Sequence, residues 1–167
     1  ENAPHVGGII HEDDTEKMEK FFHMMEGVLE ERKKLFKGGN YSQYVRANGV
    51  TVPAIVIAMD NYANFREKTD NRYEDVMMHI AHDGVGYGIF LAMTAGGFGS
   101  TEIQTKLGDN IKTVISLQMN DKFQYADVMR LPRVDTLPEA NIKGRGLAKV
   151  GERILEFQTA LAVEAED

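Results

Sequence analysis

Pro53-Ala54-Ile55-Val56-Ile57-Ala58-Met59-Asp60-Asn61 is an apolar run that ends abruptly in two polar residues. Its length is that of a strand, and its centre is rich in β-branched side chains. No polar residue alternates along it, which predicts cover on both faces, as in an interior strand of a parallel sheet. Ligands of such sheets sit beyond the carboxyl ends of the strands. Asp60 and Asn61 therefore stand at the lip of a candidate site, held there by an apolar strand.

Downstream, Tyr62 to Arg66 reads as one helical turn. Asp70 is placed to cap a helix over 72–82, with Tyr73, Val76, Met77, Ile80 and Ala81 facing inward. Glycines 84, 86 and 88 lead into Ile89-Phe-Leu-Ala-Met93, a second buried-strand candidate that ends at the glycine-rich Thr94-Ala-Gly-Gly-Phe-Gly99. A short helix over 101–107, a strand over 112–117 and a helix over 121–129 follow, the last capped by Asn120 or Asp121. After a loop with two prolines, 144–150 and 153–161 read as two strands turning at Gly151-Glu152.

Upstream, Met18, Phe21, Phe22, Met25, Val28, Leu29, Leu35 and Phe36 recur at helical spacing and predict a helix over 14–37, stopped by Gly38-Gly39. Arg32, Lys33, Lys34 and Lys37 suit its carboxyl end. A short strand is expected over 6–10 and an irregular helix over 40–48. Strands alternating with helices imply an α/β fold with a mainly parallel sheet flanked by helices, and a C-terminal β-hairpin added at one edge. The expected organisation is a single module over 1–161 and an acidic tail over 162–167.

The chain has 167 residues, a formal net charge of −7 and no cysteine. One domain with a real core is expected. A disulfide, a thiolate metal site and a cysteine nucleophile are excluded. The acidic balance argues against a nucleic-acid-binding face. No apolar run approaches the roughly 20 residues of a membrane span, and no signal peptide opens the sequence. The segment reads as soluble, though it could be cut from a membrane-anchored parent.

Few chemistries survive inspection. No glycine is followed by lysine, so a phosphate-binding Gly-x-x-x-x-Gly-Lys-Ser/Thr loop is absent. Glycines 84–88 precede a strand and read as a tight turn, while 96–99 reads as a flexible loop at the site edge. His79 and His82 lie one helical turn apart, but they fall on the polar side without an intervening Glu, so a solvated face is the better reading than a metal site. His5, His11 and His23 carry no partner pattern. Ser42 and Ser100 lack a nucleophile elbow. Asp60-Asn61 remains. An apolar strand ending in Asp is how P-loop ATPases hold magnesium through its water shell, and an Asx turn is the bland alternative. Those ATPases commonly follow the Asp with a Glu that polarises the attacking water. Asn61 stands there instead, and an amide cannot accept a proton at neutral pH.

Together these pieces resemble the FtsK/SpoIIIE family of translocase ATPases, and most of all a C-terminal ATPase module of the type VII secretion proteins EssC and EccC. The resemblance rests on Ala3-Pro4-His5-Val6, Leu29-Glu-Glu-Arg-Lys-Lys-Leu-Phe36, the Walker B-like 52–62, Gly86-Tyr-Gly-Ile-Phe-Leu-Ala-Met-Thr-Ala95, Asp109-Asn-Ile-Lys112, Ile142-Lys-Gly-Arg-Gly-Leu147 and Leu155-Glu-Phe-Gln-Thr-Ala-Leu161. It runs almost end to end and implies a partial RecA-like P-loop ATPase fold whose Walker A loop lies upstream of residue 1.

The departures matter as much. Asn61 replaces the family's Glu, and Thr94-Ala-Gly-Gly-Phe98 replaces the Ala-Thr-Gln-Arg-Pro of DNA-pumping members. The resemblance implies a degenerate module of a type VII secretion motor, engaging secreted protein substrates or regulating an active neighbouring ATPase module. In the intact parent, ATP and Mg would be the cofactors. Asp60 would contact the magnesium shell, Asn61 would face the γ-phosphate and Thr94 would sense the nucleotide, while none is expected bound to the fragment. Arg145 would approach a neighbouring subunit of a homo-oligomer. Nucleic acid is not an expected partner. The place implied is the cytoplasmic side of the bacterial membrane, reached only through missing parts of the parent. An active ATP-driven DNA translocase and a non-enzymatic interaction domain are the alternatives. In the family fold the Walker A strand lies between the strands of 89–93 and 112–117. The gap left without it is expected to close by direct pairing, or to be filled by another segment or a second chain.

Overall fold

The computed structural model describes residues 3–97, 99 and 102–160. The chain forms two compact units, 1–95 and 96–167. The first is built on helix α1 (Thr15–Phe36). Asp14 caps it by accepting the Lys17 N–H at 3.0 Å, and Lys37 ends it in the left-handed region at φ 50°. Its buried positions Met18, Phe22, Met25, Leu29, Arg32 and Phe36 advance by three or four residues and make one stripe. Helix α2 (Tyr41–Asn48) is regular, because Asn40 and Gln43 form a reciprocal capping box. Strand β1 (Ile55–Met59), helices α3 (Tyr62–Lys68) and α4 (Glu74–Asp83), a 3-10 turn over Gly84–Tyr87 and strand β2 (Ile89–Met93) follow.

The two strands pair in parallel from Ile55↔Ile89 to Met59↔Met93. Ile57, Ile89, Tyr62, Met77 and Ile80 are buried with the α1 stripe. Phe22 stacks on Tyr73 at 4.5 Å, and Phe65 packs against both rings. At the end of α4, His82 and then Lys33 hold the Asp83 carboxyl below its usual range. Gly88 is required where it stands: its φ is +72°, and the Tyr41 ring occupies the space a Cβ would need.

The second unit holds helix α5 (Thr105–Asn110), strand β3 (Ile115–Leu117), helix α6 (Lys122–Met129) and the hairpin of β4 (Arg145–Val150) and β5 (Arg153–Gln158). The strands form an antiparallel sheet in the order β3-β4-β5. Tyr125, Ala126, Val128 and Met129 of α6 pack with Val134 and Leu147 into its core. Asp121 caps α6 by accepting the N–H groups of Phe123 and Gln124. In β4, Gly146 lies so close to the Ser116 carbonyl and the Phe157 ring that a methyl group has no room.

The α/β class, the parallel pair, the terminal hairpin and the other helices agree with the sequence, but the helix expected over 101–107 runs over Thr105–Asn110, and residue 101 lies outside the described residues. Several details differ. Residues 6–10 form no strand, since Gly7-Gly8 runs through an exposed stretch with no ladder to join. Asp70 does not cap α4; Asp70 and Asn71 both take left-handed backbone in the preceding turn, and Tyr73 occupies the cap position. Strand β1 is covered on one face only. Val56 is 66% exposed, and Ala58, Phe90 and Ala92 line the same open side of the sheet. Continuous hydrophobicity therefore did not mean burial on both faces of the strand. Within the first unit β2 bonds β1, and within the second β3 bonds β4.

Candidate functional site

The lip of the first unit lies at the carboxyl ends of β1 and β2, where Asp60, Asn61 and Thr94 meet. Thr94 makes four hydrogen bonds to the segment that leaves β1. Its N–H donates to the Met59 carbonyl at 3.0 Å, continuing the ladder, and its carbonyl accepts the Tyr62 N–H at 2.9 Å. Its hydroxyl accepts the Asn61 N–H at 2.9 Å and donates to Asp60 Oδ1 at 2.5 Å. One side-chain oxygen thus sets both the carboxylate and the turn beside it.

Asn61 adopts left-handed backbone, φ 49° and ψ 67°, and its side-chain oxygen accepts the Asn64 N–H at 3.3 Å, capping α3. Asn tolerates this conformation better than other residues with a Cβ, and it is among the best helix caps. Local backbone chemistry therefore explains an Asn at this position. Asn61→Glu should destabilise the unit by about 1–2 kcal/mol, through left-handed strain and loss of the cap. Asn61→Gly should cost less, and urea unfolding of the two variants compares them directly.

Asp60, Asn61 and Thr94 are all exposed. A magnesium ion keeps several of its waters and takes one or two protein carboxylates together with substrate phosphates. An exposed carboxylate with one oxygen held by a hydroxyl fits such water-mediated contact. It does not make an all-protein cage.

One residue that braces the amino ends of the two strands, opposite the lip, was misread in the sequence. Arg32 looked like one of several basic residues suited to the end of α1, yet it is only 5% exposed. Its guanidinium donates to the carbonyls of Tyr87 (2.7 Å), Gly88 (3.1 Å) and Pro53 (2.7 Å), the residues that lead into β2 and β1. It also lies 5.9 Å from the centre of the Tyr41 ring. Burial lowers its pKa from the ordinary value, and Tyr41 opposes that shift. The missed signal was its place in the series 22, 25, 29, 32, 36, where a polar residue falls on an apolar stripe.

No family model matches the chain. The EccC protein of the ESX secretion system of Geobacillus thermodenitrificans is 30% identical over 169 residues, covering 98% of this chain and 11% of that protein. The chain is an EssC/EccC ATPase-domain homologue. It spans about a tenth of the length of the curated relatives it matches. The solved EssC structure of the same organism, comprising ATPases 2 and 3, superposes with a TM-score of 0.77 at 27% identity, over 93% of this chain and 29% of that one. Thermomonospora curvata EccC, solved with a signal sequence peptide, shares the fold with a TM-score of 0.74 at 22% identity, over 98% of this chain and 30% of that one.

Against this EssC/EccC background, the sequence-derived site residues divide. Asp60, Asn61 and Thr94 are in mutual contact in the first unit. Arg145 belongs to the second, where it pairs with Glu139 at 3.4 Å and Glu156 at 3.5 Å. His79 and His82 are exposed, and His82 bonds the neighbouring Asp83.

Proposed function

We propose that this chain is part of a catalytically degenerate ATPase module of a type VII secretion motor. It binds or senses ATP in the intact parent, and it engages secreted proteins or regulates an active neighbouring module. The observation that carries this reading is the lip itself. Asp60 ends an apolar strand where a nucleotide's magnesium shell would lie, while the next side chain is an amide spent on capping α3. In such a module the magnesium would neutralise phosphate charge. Asp60 would hold its water shell, Thr94 would orient Asp60, and no residue at position 61 could take a proton from water. The phosphate-binding loop would come from polypeptide outside these residues. Arg145 would reach a neighbouring subunit only by leaving its two carboxylate partners.

The EccC relative solved with a signal sequence peptide supports engagement of secreted proteins. Homology to type VII secretion proteins supports a place on the cytoplasmic side of the membrane, through other parts of the parent. Among the described residues, no helix is long and apolar enough to cross a membrane.

The test uses the parent's complete module. Isothermal titration should detect Mg-ATP binding that weakens about tenfold in Asp60→Asn, with negligible turnover. Turnover that is abolished by Asn61→Ala would refute degeneracy. Turnover stimulated by DNA would favour an active translocase, and the absence of any nucleotide binding would favour an interaction domain.

A further inference from the structure

We propose that Thr94 is the positioning residue of this lip. Its hydroxyl fixes the Asp60 carboxylate and, by the same oxygen, the left-handed turn at Asn61. The lip then presents one oriented carboxylate and commits the following side chain to the helix. This deepens the nucleotide-site reading and rests on it only for the identity of the ligand. The geometry of the latch stands without any nucleotide.

The four bonds of Thr94 separate into two kinds. Those of its N–H and carbonyl, to Met59 and Tyr62, are backbone bonds that any residue with an N–H could make. Those of Oγ1, to Asp60 and Asn61, need a hydroxyl. A hydroxyl can accept one hydrogen bond and donate another at once, whereas a carbonyl, a carboxylate or an ammonium group supplies only one of those roles. Serine and threonine meet the requirement with one strong donor–acceptor atom at this reach. An unheld Asp60 would rotate freely at the exposed strand end, and holding it lessens the ordering cost when a hydrated cation arrives. The left-handed turn at Asn61 aligns its carboxamide with the Asn64 N–H of α3, so carboxylate orientation and helix start are coupled through one oxygen.

The test compares Thr94→Val, which keeps shape and backbone bonds, with Thr94→Ser, which keeps the hydroxyl. The first readout is amide hydrogen exchange by NMR on the 167-residue chain. Thr94→Val should speed exchange at the Asn61 N–H at least tenfold, while the Tyr62 N–H changes less than twofold, and Thr94→Ser should restore the Asn61 value. Unchanged exchange at Asn61 in Thr94→Val, or equal loss at Asn61 and Tyr62, would overturn the proposal.

The second readout is ATP affinity of the parent's complete module, with magnesium and with EDTA. Thr94→Val should reduce the magnesium-dependent gain in affinity about fivefold and leave the EDTA value unchanged, with rescue by Thr94→Ser. A reduction that is the same in EDTA would overturn positioning of a cation-facing carboxylate. If no form of the module binds ATP while the exchange pattern appears as expected, the nucleotide reading fails and the latch is upheld.

Discussion

Arg32→Ala is expected to remove about 3–5 kcal/mol of stability from the first unit. Three carbonyls, those of Pro53, Tyr87 and Gly88, would lose their shared donor at once. The Gly88 carbonyl keeps the Ile55 N–H at 2.9 Å, so the main loss falls on the Tyr87 and Pro53 carbonyls. An acceptor left without its donor costs about 1–3 kcal/mol, and the bonds lost are charge-assisted. Filling the hole with water recovers part of this, because two of the three carbonyls are only partly buried. The loss is large against the roughly 5–15 kcal/mol by which folded domains are stable. Arg32→Lys should recover less than half. Its ammonium is a point charge and cannot reproduce the planar fork that spans the entrances to both strands. Guanidinium unfolding followed by circular dichroism measures the order wild type, Lys, Ala. An alanine variant within 1 kcal/mol of wild type would show that the strand entrances hold themselves.

Gly146→Ala is expected to cost about 2–3 kcal/mol in the second unit, the range for forcing extra atoms into a packed site. The added methyl would press on the Ser116 carbonyl, which is backbone and cannot move without β3, and it would meet the Phe157 ring at 2.9 Å. Gly146 pairs with Leu117 on one side and Phe157 on the other, so the strain falls on both ladders. β3 spans only Ile115–Leu117, which makes it the part that yields. Hydrogen exchange should therefore rise first at 115–117, ahead of the β4–β5 hairpin. Gly151→Ala serves as a comparison. That glycine has positive φ at the hairpin turn but open space around its Cα, so its cost should be that of backbone strain alone, about 1 kcal/mol.

Much of the fold was legible because it follows from local rules. The α1 stripe, the Asp121 cap of α6 and the Gly151-Glu152 turn are each encoded within a few residues. Asp60 at the end of an apolar strand was legible for the same reason. The cap of α4 was not, because consecutive left-handed residues at Asp70 and Asn71 carry the chain past the position where Asp70 could serve. The role of Arg32 was hidden because a basic residue near a helix end has a sufficient local explanation in the helix dipole. Only its fall on the apolar stripe contradicted that explanation.

The sequence by itself determined the order of helices and strands from α1 onward, the apolar strand that carries Asp60, and the Asn that follows it. These depend on periodicity, capping and turn chemistry, which act over one or two turns of chain. Tertiary structure decided the rest. It left the Val56 and Phe90 side of the parallel pair open, placed β3 beside β4, and brought Thr94 across to Asp60 over a separation of 34 residues. Pairing and hydrogen bonding at that distance depend on which strands lie side by side. A run of apolar residues fixes that a strand forms, but it does not fix the neighbour, the face that is covered or the hydroxyl that meets the carboxylate at its end.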